Sequence, residues 1–341
     1  MKTQHDAAGL PPYAPMDVRL GLTDPKDDAF PLRWGIIGAG QISRQWVPAV
    51  RACKGATVSA VAARSKERAE DFAAQHDIES AYGSYAEMLA SPDVDIVYIG
   101  TIHTLHKEHV LLAIEAGKHV LCEKPMGGIA DDAIEMYEAA AKQRVMLQHG
   151  LWTRFFPAVE HARWALEQGM IGDVVTVQAD FDPVYTIQAA VLAFGIEARP
   201  ESITALAKHA VLEYADNRSA VLSFITFLSE FPERTEIIGT KGRITLEQPA
   251  HCPTAITLRI PEKVPSRYLD ANTPAPAHRF EYPIPENVSI PMAYPNQSGF
   301  LYQAEAVHRC LAAGLLECPQ FGKEESLYFM DVLEVVRAGM A

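Results

Sequence analysis

Short apolar runs alternate with amphipathic stretches from residue 32 to residue 150. Residues 32–37, 57–63, 94–99, 119–122 and 145–149 hold few polar positions, as strands buried on both faces do. Between them, 41–53, 66–76, 84–89, 105–116 and 131–142 read as helices. This alternation predicts an α/β domain over 32–150, a Rossmann-type doubly wound parallel sheet.

The texture changes after residue 150. Residues 152–168 read as a helix and 174–181 as an alternating strand. Runs such as 210–214 and 220–225 are bounded by Asp216-Asn217 and Gly239-Thr240-Lys241-Gly242, turn chemistry that joins antiparallel strands. The proline-rich stretch 261–297 reads as extended loop, and 303–316 and 323–337 as helices. A C-terminal α+β domain over 151–341, with a mainly antiparallel sheet, is the expectation. Residues 1–31 contain Pro11, Pro12, Pro15, Pro25 and Pro31 with several aspartates, and read as a flexible tail. They fit neither a secretory signal nor a transit peptide.

Composition narrows the class. The 341 residues carry a net charge of −13, which argues against a nucleic-acid surface. No apolar run approaches the ~20 residues of a membrane span. Five cysteines form no C-x-x-C pair, as in a reduced cytoplasmic protein. No Cys/His spacing fits a metal site.

The chemistry begins where the strand at 32–37 meets Gly38-Ala39-Gly40 and a helix opens at Gln41-Ile42. Glycines between strand and helix let the backbone approach a pyrophosphate, which then sits on free helical N–H groups. Ser43 stands where a third glycine is usual, a position that needs only a small residue. The second strand ends in Ala63-Arg64 instead of the carboxylate that bonds a ribose hydroxyl. An arginine fork accepts a 2′-phosphate, so NADP is expected over NAD. Thr101, His103 and His106 follow the strand at 94–99, on the edge where such sheets bind ligands. Glu123-Lys124-Pro125 closes the next strand and puts a lysine at the same edge.

These segments resemble the glucose–fructose oxidoreductase/inositol dehydrogenase (Gfo/Idh/MocA) family. The resemblance rests on Gly38-Ala39-Gly40, Ala63-Arg64, Thr101-Ile102-His103-Thr104-Leu105-His106 and Cys122-Glu123-Lys124-Pro125-Met126-Gly127. Ala81-Tyr82-Gly83-Ser84-Tyr85, Trp152-Thr153-Arg154-Phe155-Phe156-Pro157 and Gly239-Thr240-Lys241-Gly242 extend it across residues 32–338. It implies hydride transfer between NADP and a hydroxyl of a sugar or trans-dihydrodiol, in a homodimer. It further implies Lys124 and Tyr185 as catalytic residues, His106 on the coenzyme side, and Trp152 and Phe181 at the substrate; from their positions His103 is expected at the nicotinamide end or the substrate cleft, Glu123 on the coenzyme side and Arg154 at the substrate.

One departure stands out. The family places a Gly-Gly-x-Leu-Leu-Asp element ahead of its tyrosine, whereas only Asp182-Pro183-Val184 separates Phe181 from Tyr185. The family's pocket loses a wall there. Besides an active dehydrogenase, the sequence thus allows a catalytically impaired NADP-binding regulatory protein, or an incomplete version of an enzyme.

Overall fold

In a computed structural model the described residues are 10–226, 228, 230–262, 275–286 and 294–340. The chain divides into two units. The first holds residues 1–10, 15–155 and 284–330, the second 11–14, 156–283 and 331–341.

The first unit is built on the apolar runs. After a single helical turn, α1 (Met16–Arg19), come β1 (Leu32–Ile37), α2 (Gln41–Arg51), β2 (Ala56–Ala62), α3 (Lys66–Gln75), β3 (Ser80–Tyr82) and α4 (Tyr85–Leu89). There follow β4 (Ile96–Ile99), α5 (His106–Glu115), β5 (His119–Glu123), α6 (Ala130–Gln143) and β6 (Leu147–Gly150). The strands pair in the order β3-β2-β1-β4-β5-β6, every pair parallel. Strand β4 is buried at every position because helices cover both faces. Trp46 of α2 packs flat on Tyr98 of β4, ring centres 4.1 Å apart, and edge-on to Trp34 of β1. Burying an aromatic ring of this size stabilises by roughly 2–3 kcal/mol. Strand order reverses between β1 and β4. In a sheet of this type a crevice opens at that reversal, beyond the carboxyl ends of the strands.

Residues 15–31, read from sequence as tail, are held in this unit by a buried charge pair. Asp17 is fully buried; it accepts from the Arg309 guanidinium at 3.0 Å, from Thr23 Oγ1 at 2.5 Å and from Gln320 Nε2 at 2.6 Å.

The second unit begins with α7 (Pro157–Glu167), β7 (Val174–Phe181) and α8 (Pro183–Phe194), followed by β8 (Ser202–Leu206), β9 (His209–Tyr214) and β10 (Arg218–Phe224). Strands β11 (Thr235–Gly239), β12 (Gly242–Leu246), β13 (Ala255–Arg259) and β14 (Ala277–Glu281) complete an eight-stranded sheet ordered β14-β13-β12-β11-β7-β10-β9-β8. All pairs are antiparallel except β7 with β10. Helix α8 lies on β7, β10 and β11, while α7 lies on β12 and β13. Strand β14 falls in the stretch read as loop. All five of its residues are exposed, and it exists because β13 pairs with it along its length. Two further helices, α9 (Phe300–Ala312) and α10 (Lys323–Met340), end the chain; α9 packs on α2.

Among the described residues no helix is long and apolar enough to cross a membrane.

Candidate active site

The crevice at the β1/β4 reversal is lined by Gly38, Gly40, Gln41 and Ile42 on one side and Gly100, Thr101 and Leu105 on the other. Its volume is about 340 Å³. Gly38 has φ +101°, a conformation that favours glycine. A Cβ there would stand 2.8 Å from Thr101 Cγ2 and 3.2 Å from the Gly100 carbonyl oxygen, so only glycine leaves the cradle open. Ser43 does more than stay small: its hydroxyl donates to the Gly38 carbonyl at 2.6 Å and fixes the turn. Gly40 is the N-cap of α2, leaving the first N–H groups of that helix to face the crevice. An apolar strand, an open glycine turn and a helix N-terminus fit a dinucleotide pyrophosphate.

Arg64 lines the end of the crevice and is exposed. Two residues that the sequence reading missed join it. Arg68, one helical turn along α3, lines the same wall, as does Tyr85. Burial pushes the Tyr85 phenol up, against the pull of the Arg64 and Arg68 charges. The Ser65 side chain accepts from the Arg68 N–H at 3.4 Å and caps α3, holding both guanidinium stems at the helix start. Paired arginines at i and i+4 were the available signal.

The β4 loop is tied from behind. Thr101 Oγ1 meets His109 Nδ1 at 3.0 Å. His106, expected on the coenzyme side, is buried instead, with its ring nitrogens 2.8 Å from the Pro125 carbonyl and 3.0 Å from the Thr101 carbonyl. It thereby joins the loop after β4 to the turn after β5. Burial holds this imidazole below the usual histidine range, although both carbonyls favour its charged form. His103 stays exposed on the short 3-10 turn that precedes α5.

Glu123 ends β5 fully enclosed, and its carboxylate accepts from Tyr98 OH at 2.8 Å and from the Lys124 N–H at 3.2 Å. Burial pushes this carboxyl up, opposed by the Lys124 charge and the Tyr98 bond. Lys124 itself is half-buried at the strand end. Trp152, expected at the substrate, is buried with its ring stacked 4.4 Å from Phe300. Arg154, likewise expected there, is buried; its Nη1 donates to Glu325 Oε1 at 2.6 Å and its guanidinium lies 4.9 Å from the Phe321 ring.

In the second unit Tyr185 occupies the first turn of α8. Asp182 caps that helix by accepting from the Val184 N–H at 2.9 Å, so the three-residue link closes without strain. The Tyr185 ring lies 5.4 Å from Phe181 and 5.1 Å from His251. Phe231 and His251 also stack on Phe181, and Glu233 bonds His251 Nδ1. Phe231, Glu233 and His251 carried no motif: they lie on strand ends and loops far from Tyr185 in sequence.

Comparisons with known proteins bear on the family and the fold. Residues 32–151 match an oxidoreductase family with an NAD-binding Rossmann fold. The chain is 34% identical over 339 residues to trans-1,2-dihydrobenzene-1,2-diol dehydrogenase of Sus scrofa, covering 90% of this chain and 96% of that protein. The Homo sapiens enzyme of the same name is 32% identical with the same coverage. A 3-ketoreductase of Actinomadura kijaniata, solved with NADP, superposes with a TM-score of 0.71 at 22% identity, covering 91% of this chain and 97% of that one. Levoglucosan dehydrogenase, solved with NADH and levoglucosan, gives a TM-score of 0.75 at 16% identity over the same shares. The chain is a member of the Gfo/Idh/MocA oxidoreductase family, whose NAD(P)-binding Rossmann domain it carries.

Proposed function

We propose that the chain is an NADP-dependent dehydrogenase that oxidises a hydroxyl of a trans-dihydrodiol or a sugar such as D-xylose, working as a cytoplasmic homodimer. The observation that carries the reading is the open glycine cradle of Gly38 flanked by Arg64 and Arg68, together with Lys124 at the carboxyl end of β5. Gly40, Gln41 and Ile42 hold the pyrophosphate in this reading, and Arg64 and Arg68 the 2′-phosphate. When bound, the nicotinamide supplies the hydride acceptor. Tyr185 takes the proton from the substrate hydroxyl. A phenol of pKa near ~10 is a weak base at neutral pH. An ammonium about 4 Å away favours phenolate by up to ~4 kcal/mol at an effective dielectric of ~20, around 3 pK units. In this reading that role is assigned to Lys124, and Glu123, which accepts from the Lys124 N–H, orders the turn after β5. Phe181 and Trp152 are assigned to the substrate side.

A second reading rests on the short link at Asp182. Without the Gly-Gly-x-Leu-Leu-Asp element, a nucleotide-binding protein with no turnover is the alternative. Purified protein mixed with NADP⁺ and either D-xylose or trans-1,2-dihydrobenzene-1,2-diol separates the two. Formation of reduced nicotinamide supports the dehydrogenase; cofactor binding with no reduction on either substrate supports the alternative.

A further inference from the structure

Two backbone carbonyls converge on one buried imidazole in the first unit. His106 opens α5 with 1% of its surface exposed. Its Nδ1 lies 2.8 Å from the Pro125 carbonyl oxygen, and its Nε2 lies 3.0 Å from that of Thr101. A carbonyl oxygen only accepts, and a neutral imidazole carries a single N–H. Whichever tautomer a neutral ring adopts, one of the two contacts therefore sets lone pair against lone pair. Only the imidazolium donates to both. At this depth no bulk water makes up for the missing bond, so the geometry asks for a second proton.

The surroundings withhold it. Burial outweighs the pull of both carbonyls and holds the ring below the usual histidine range. The titratable neighbours that bear on it are basic: His103 on the preceding 3-10 turn and His109 along α5 each lower it further. His106 in turn lowers His149 of β6, and Lys124, next to Pro125 in the chain, is a cation too. Carboxylates on the adjoining elements are engaged elsewhere: Glu123 of β5 by Tyr98 and the Lys124 N–H, Asp132 and Glu135 of α6 by Lys107. The start of a helix is itself an unfavourable place for a cation. What the ring lacks is a negative charge, and the crevice beside it is shaped to receive one. Thr101, whose carbonyl it meets, and Leu105, the residue before it, line that crevice together with Gly40, Gln41 and Ile42. Thr101 is also held through its hydroxyl, 3.0 Å from His109 Nδ1, so two histidines of α5 fix this wall.

We propose that His106 is a positioning residue that takes up a proton from solvent as the dinucleotide binds: with the pyrophosphate's negative charge in the crevice, the imidazolium donates to the Thr101 and Pro125 carbonyls together and ties the loop after β4 to the turn after β5. The inference rests on the nucleotide site at residues 38–42 given above and extends it to the turn that follows Lys124. Two measurements on the intact chain test it without turnover. Nitrogen-15 spectra of the histidine rings at about pH 7 should show His106 with one protonated nitrogen in the free protein and two in the NADPH complex. The same protonation state in both, neutral or charged, overturns the inference. Calorimetric titration with NADPH, in two buffers of different ionisation enthalpy, counts the protons exchanged. Wild type should take up more than His106→Gln, whose single amide nitrogen reaches one carbonyl only; the ligand's own 2′-phosphate contributes equally to both proteins. The variant should bind NADPH about tenfold to a hundredfold more weakly, the range for losing a bond to a charged group. Because proton uptake favours binding at lower pH, the wild-type Kd divided by the variant's should rise with pH, by up to about tenfold per unit. A ratio that does not move with pH refutes the role. If the variant does not fold, the wild-type spectra still decide. NADPH binding with an unchanged His106 removes this inference alone, whereas no NADPH binding at any pH removes the crevice reading beneath it.

Discussion

Arg64 and Arg68 give the cofactor assignment a measurable size. Both side chains are exposed at the end of the crevice, so their attraction for a phosphate acts through near-bulk water. At about 4 Å in that medium a unit charge pair is worth ~1 kcal/mol, and a phosphate monoester carries about −1.5 to −2 charges at neutral pH. Each arginine then contributes about 1.5–2 kcal/mol to NADPH binding, roughly tenfold to thirtyfold in Kd. Because both would meet one phosphate, the double variant loses less than the product of the single losses. The assay is fluorescence titration of Arg64→Ala, Arg68→Ala and the double variant with NADPH and with NADH. NADPH affinity should fall in every variant, and the gap from wild type should narrow as salt shortens the screening length below ~10 Å. NADH affinity should hardly move. A double variant that binds NADPH as tightly as wild type, or that loses NADH equally, refutes the assignment.

Gly38→Ala places a methyl group 2.8 Å from Thr101 Cγ2 in a left-handed backbone conformation; about 1–3 kcal/mol of strain should lower the thermal midpoint and weaken both nucleotides alike. Unchanged NADPH binding in that variant would contradict the cradle. The buried His308 makes stability depend on acid. Its Nδ1 donates to the Phe30 carbonyl at 2.6 Å and its Nε2 accepts from Trp34 Nε1 at 3.0 Å, which requires a neutral ring. Burial pushes it down to about 4, while the unfolded chain protonates near ~6.5. The unfolded state holds the extra proton across that window, so stability falls as pH drops through it, by about 1.4 kcal/mol per pH unit. Urea unfolding at several pH values should show a shallower acid slope in His308→Gln; an identical slope would show that the ring's proton does not matter.

Much of the fold was legible because burial on both faces writes itself as apolar runs. Strands β1, β2, β4, β5 and β6 fall where those runs lie, to within a residue or two. Strand β3 has only three residues, too few to show a period. Strand β14 is polar and flanked by prolines, and its bonds come from β13, so nothing local announced it. Helix α8 is buried at nine of twelve positions, which erases the amphipathic period that marks a surface helix. The loss of freedom at residues 15–31 depends on Asp17 meeting Arg309, a partner 292 residues away. The same distinction divides the site. Gly38, Arg64, Thr101 and Lys124 stand at strand ends, where topology alone makes them neighbours. The burial of His106, Trp152 and Arg154 and the wall of Phe231, Glu233 and His251 arise from tertiary packing. No spacing in the sequence encodes them.

The most direct test of the account is turnover by Lys124→Met set beside its NADPH affinity. Loss of substrate oxidation, in a protein that still binds NADPH as wild type does, is the predicted result. A near-normal kcat in that variant would show that the lysine at the end of β5 does not make the chemistry possible.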